Sequence, residues 1–150
     1  MRIDFYHLQK WPLERALPQL LTKVLTARKR AVVIAGSQER VDSLNSVLWT
    51  YDPNSWLPHG SVKDGFASDQ PVWLTDIDEN PNDSEILVLT DGSASNSLAD
   101  YERCLDIFDG NSKHALEAAR ERWKSAGRDG HERYYWRQDE GGGWEEQLLD

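Results

Sequence analysis

The chain has 150 residues, 39% hydrophobic and 29% charged, a size and balance that suit one folded domain with a real core and exclude a disordered chain. Its formal net charge of -9 disfavours binding of duplex nucleic acid, whose phosphates demand Lys and Arg, and no run approaches the roughly 20 apolar residues of a membrane span. One cysteine, Cys104, excludes an internal disulfide and any multi-cysteine zinc site.

The first residues, MRIDFYHLQKW, carry neither the apolar centre nor the small-residue cleavage site of a signal peptide, so the sequence reads as cytoplasmic. RIDFYHL (2–8) alternates Ile3, Phe5 and His7 with other residues and predicts a first strand. Leu13, Leu17, Leu20, Leu21, Val24 and Leu25 then repeat at helical spacing. Pro18 interrupts that pattern, and the sequence allows either a helix that begins near it or one that bends there. RAVVIAG (30–36) is a short, continuously apolar run, the mark of a strand covered on both faces. Ser37 is a candidate N-cap for a second helix with Val41, Leu44, Val47, Leu48 and Tyr51 on its inner side, closed by Asp52-Pro53.

Residues 60–70 read as an exposed loop, 71–76 and 85–91 as strands joined by the turn-rich IDENPNDS, and 104–109 as a fifth strand. NSKHALEAARERWKSAG (111–127) predicts a helix closed by Gly127. ERYYWRQDEGGGWEEQ (132–147) predicts a hairpin with a glycine turn and inward-facing aromatic arms. Strands alternating with helices give an α/β domain with a mainly parallel sheet. The whole chain, 1–150, reads as one domain, with 132–150 a candidate hairpin extension.

No motif carries catalysis. The lone Gly36 meets neither the dinucleotide nor the phosphate-loop spacing. A magnesium-dependent phosphoryl-transfer domain using Asp76 or Asp91 is the enzymatic alternative, but it lacks a phosphate cradle. The four histidines, 7, 59, 114 and 131, are too scattered for a metal site. No cofactor is expected.

Two surfaces carry the residues that protein interfaces favour. Residues 113–137 hold seven Lys or Arg and four Asp or Glu, a basic island on an acidic protein. Within it Leu116, Ala119 and Trp123 share one stripe, Arg120 and Lys124 stand side by side next to it, and Lys113 lies two turns before Arg120 on nearly the same line. Such a helix offers either a solvated face, with Glu117 and Glu121 as counter-charges, or an apolar floor with a cationic rim. The second suits an acidic peptide ending in a hydrophobic residue and a free carboxylate. The other surface is LWTYDPNSWLPHG (48–60), with Trp49, Trp56, Pro58 and His59 where a helix gives way to a loop.

Four segments in order, IDFYHL, KRAVVIAG, LWTYDPNSWLPHG and ARERWK, make the chain similar to the chi subunit of the bacterial DNA polymerase III holoenzyme, over residues 1 to about 137. The resemblance implies a Rossmann-like domain without a nucleotide site. It also implies a non-catalytic adaptor between the clamp loader and single-stranded-DNA-binding protein (SSB). On that reading Arg120 binds the terminal carboxylate of the acidic SSB tail, Trp123 packs on its last apolar residue, and Lys124 attracts the acidic residues before it. Leu116 departs from the lysine of better-known members, which implies either compensation by Lys113 or weaker binding. The resemblance likewise assigns Trp49, Trp56, Pro58 and His59 to the surface that holds the psi subunit or another clamp-loader component. The rival for Trp49 is that it closes its helix against the core.

Overall fold

A computed structural model describes residues 1–51 and 57–149. Its elements run β1 (Arg2–Leu8), α1 (Leu13–Thr26), β2 (Ala31–Ile34), α2 (Gln38–Thr50), β3 (Gly60–Ser61), β4 (Val72–Thr75), β5 (Ile86–Leu89), β6 (Arg103–Asp109), α3 (Lys113–Arg128), β7 (Glu132–Gln138) and β8 (Trp144–Gln147). The strands form one sheet in the order β3-β4-β2-β5-β6-β1-β7-β8, parallel throughout except for the last pair. An α/β sandwich is thereby confirmed, with the C-terminal hairpin serving as its last two strands.

Helices α1 and α2 cover one face and α3 the other, so the core has two layers. Leu17, Leu21, Leu44 and Val33 centre the first, and Phe5, Leu87, Phe108 and Trp123 the second. β1 lies inside the sheet, between β6 and β7, and every residue from Ile3 to Leu8 is buried. Its alternation therefore separates two packed faces rather than core from water. Asp4, fully buried on the α1 side, is satisfied by Arg2, by Arg103 and by the Trp136 indole N–H.

One boundary left open by the sequence is settled and two others differ from the sequence reading. Pro18 lies inside α1, which starts five residues earlier with Pro12 at its N-cap. The stretch read as a loop from residue 60 opens with a two-residue strand, β3, too short to show any period. Finally, α3 passes through Gly127 and stops at Arg128, with Gly130 at φ +80° supplying the left-handed turn. There His131 N–H bonds Ala126 O at 3.0 Å and Gly130 N–H bonds Gly127 O at 3.1 Å, which closes the helix end. Gly127 has another purpose: a Cβ there would sit 2.7 Å from the Arg133 guanidinium.

α1 ends with the same hydrogen-bond pattern, but Arg28 occupies the left-handed position at φ 60°. Arg28→Gly is therefore expected to raise stability by about 0.5–1 kcal/mol, read as a higher urea midpoint at unchanged m.

Candidate functional site

Helix α3 is fixed from both ends and from beneath. Ser112 caps its start, accepting from Ala115 N–H at 3.2 Å. Arg122 donates to both oxygens of the buried Asp106 on β6, at 2.7 and 2.9 Å. Burial pushes the Asp106 carboxyl up, and the hydrogen bonds from Arg122 pull it back. Arg122 thus anchors the helix to the sheet, leaving the neighbouring edge of α3 to do other work.

That edge lies along β7. Leu116, Arg120, Trp123 and Gly127 follow one another at three- and four-residue steps on the helix. Arg133, Tyr135 and Arg137 share the facing side of the strand. Arg133 stacks over the Trp123 ring with its guanidinium carbon 4.4 Å from the centroid, and donates to Trp123 O at 2.9 Å. Tyr135 meets Trp123 edge-on at 5.7 Å, and Phe5 meets it at 5.2 Å.

Trp123 is 8% exposed, so most of its ring belongs to the core and only its rim reaches the surface. Leu116 is partly buried against the same cluster. Arg120, Lys124 and Lys113 are exposed. Arg120 forms no salt bridge among the described residues, whereas Lys124 stands 3.5 Å from Glu121 with both side chains open to water. Such an exposed pair contributes little and leaves Lys124 available.

At the upper end of this edge, His7 Nδ1 lies 2.6 Å from the Tyr135 hydroxyl. Burial depresses the His7 pKa, and Arg137 and Arg120 depress it further while Asp109 opposes them. Burial likewise raises the Tyr135 pKa, with the same two arginines pulling it down. Arg137 was legible in the sequence only as part of the basic island. Its place on the α3-facing side of β7, paired with His7, comes from the hairpin joining the sheet.

The second surface is partly visible. Trp56 lies outside the described residues. Trp49 is 52% exposed, with its ring centroid 4.3 Å from that of His59. His59 is buried, its two ring nitrogens 2.7 Å from Leu57 O and 3.2 Å from Asn45 O, so it staples the loop to α2. Leu57 is buried and Pro58 half-buried. The loop after β3 is tied to the same helix by Asn45–Asp64 and Lys63–Asp42 contacts, and leaves Val62 and Phe66 largely exposed.

Asp91 accepts from Gly36 N–H and from Arg40, which also binds Glu14. Asp76 is exposed at the end of β4. Among the described residues no group of three or more His, Cys, Asp or Glu could hold a metal ion. No helix among them is long and apolar enough to cross a membrane. Cys104 is buried on the α3 side of the sheet, and burial raises its thiol pKa.

The family model described as DNA polymerase III chi subunit, HolC, matches residues 1–133. The chain belongs to the chi subunit family. It is 25% identical over 107 residues to a probable DNA polymerase III subunit chi of Rickettsia prowazekii (strain Madrid E). That alignment spans 71% of this chain and 65% of the relative, just under two thirds of the relative's length. The chi match takes in β1 to α3 and stops at the second residue of β7. The edge of α3 therefore lies within the shared part, and the face of β7 opposite it lies almost wholly beyond.

Proposed function

We propose that this chi-family chain is a non-catalytic adaptor that binds the acidic C-terminal tail of SSB along α3 and joins it to the clamp loader. The observation that carries this reading is Arg120, exposed and without an ion-pair partner among the described residues, beside the rim of Trp123 and one turn from Lys124. Arg can grip a carboxylate through two parallel hydrogen bonds, and the apolar rim suits a final hydrophobic side chain. Lys124 and Lys113 extend the positive field along the helix toward the acidic residues that precede it. Leu116 continues the apolar floor by one turn.

The clamp-loader side of the adaptor falls on the α2 end: Trp49 with Pro58 and His59, and Trp56 in the adjoining segment. A half-exposed tryptophan stacked on a buried histidine suits a hot spot for a psi subunit or another clamp-loader component.

A fluorescein-labelled peptide ending in Asp-Asp-Ile-Pro-Phe tests the tail site by polarisation. Wild-type binding is expected in the micromolar range, lost on deletion of the last Phe and weakened at least about tenfold by Arg120→Ala. Affinity should fall as salt rises, because charges on this open surface are screened beyond about 8 Å at physiological ionic strength. Equal binding by wild type and Arg120→Ala would remove that residue from the site.

A further inference from the structure

We infer that Arg137, on the hairpin beyond the chi-matched region, is the second guanidinium of the carboxylate clamp and faces Arg120 across the α3–β7 groove. This inference rests on the adaptor reading above and names a residue that decides how tightly the tail's free end is held.

Register carries the argument. α3 turns at Gly130 and β7 runs back alongside it. Gly127 abuts Arg133, and Trp123 abuts both Arg133 and Tyr135. From Gly127 to Arg120 the helix advances seven residues, about 10 Å at 1.5 Å each. From Arg133 to Arg137 the strand advances four residues, about 13 Å. The two elements therefore bring Arg120 and Arg137 to nearly the same level. Both act on the same pair of groups there, His7 and Tyr135. In the sheet Arg137 pairs with His7, and Tyr135 with Phe5, so all four side chains share the α3 face.

Neither arginine forms a salt bridge among the described residues. Arg137 is nevertheless held in place: the Gln9 amide, oriented with its oxygen toward Arg137, accepts from Nε at 2.8 Å and Nη2 at 2.7 Å. Gln9 is neutral, so this contact aims the guanidinium without cancelling its charge. Two positive groups beside a histidine whose pKa they already depress repel one another, and an anion between them removes that repulsion. Tyr135 and Trp123 pack edge-on between α3 and β7 just below this level, and both arginines are exposed above them, so a chain terminus lying over the two rings delivers its carboxylate there. Glu145 on β8 is directly opposite Arg137 and shares its face, beyond ion-pair distance, as a negative charge that opposes an incoming anion from the hairpin side.

The experiment uses the full chain and two labelled peptides ending in Asp-Asp-Ile-Pro-Phe, one with a free C-terminus and one amidated. Wild type should prefer the free acid, and Arg137→Ala should weaken the free acid about tenfold while leaving the amide nearly unchanged. Arg137→Lys should recover part of the loss, since a point charge replaces the fork. Glu145→Gln should tighten the free acid about twofold. Thermal melts should agree among all four proteins, because both positions are exposed. If Arg120→Ala weakens binding but Arg137→Ala leaves the acid-to-amide ratio at its wild-type value, the clamp is wrong and the adaptor reading stands. If wild type binds neither peptide, both fall.

Discussion

Trp123→Ala is expected to destabilise the protein by about 3–5 kcal/mol, lowering the thermal midpoint by on the order of 10 °C. The ring is 8% exposed and wedged between Phe5, Tyr135 and the Arg133 guanidinium. Alanine leaves a hole that α3 cannot close, because Arg122 and Asp106 pin the helix to β6. Trp123→Phe should cost only about 1–2 kcal/mol. It keeps the aromatic contact with Tyr135 and removes an indole N–H that has no acceptor among the described residues. Chemical denaturation of both variants separates the two outcomes, and equal losses would mean that ring volume is not what matters. Trp123 is accordingly a poor position at which to test tail binding by truncation, whereas Arg120 is a clean one.

Asp4→Asn should cost about 2–4 kcal/mol near neutral pH. The carboxylate is fully buried, and it accepts from Arg103 Nε at 2.6 Å, from Arg2 at 3.0 and 3.1 Å, and from Trp136 Nε1 at 2.9 Å. The figure sits below that of a fully enclosed ion pair because the side chains of Arg2 and Arg103 are 39% and 35% exposed and can turn to water. Burial alone would raise the Asp4 pKa, but the hydrogen bonds from Arg2, Arg103 and Trp136 outweigh it and hold the carboxyl below its ordinary value. A carboxyl depressed in the folded state stabilises above its unfolded pKa of about 3.9, and that stabilisation is lost as pH falls through the folded value. The gap between wild type and Asp4→Asn should therefore be widest near neutrality and narrow below about pH 4. A gap independent of pH would mean that the charge on Asp4 is not what stabilises the fold.

Most of the fold could be read from residue order because its helices carry clear apolar stripes and its inner strands are continuously apolar. AVVI between two helices has few alternatives. What escaped reading depends on pairing. Gly60–Ser61 joins the sheet only because β4 is there to receive it. Gly127 looks like a helix terminator until the returning strand places Arg133 against it, and the left-handed turn that follows the helix lies three residues later at Gly130. Leu116, Ala119 and Trp123 form one stripe, and spacing alone does not say whether it faces a core or a ligand. The structure divides it, with Ala119 and most of Trp123 inside and the neighbouring Arg120 outside. Arg137 escaped because the side of the sheet it occupies is fixed only when β7 pairs with β1.

One oxygen on the last long strand has a wider consequence. The side-chain carbonyl of Gln138 accepts from three successive backbone amides, those of Gln9, Lys10 and Trp11, at 3.3, 3.0 and 2.9 Å. These amides form the turn that feeds β1 into α1, so that crossover is latched by the last residue of β7. The latch lies past residue 133, outside the chi-matched part. A polypeptide cut at that boundary would leave three donors stranded in that turn, and a newborn chain cannot fasten it until residue 138 has been synthesised.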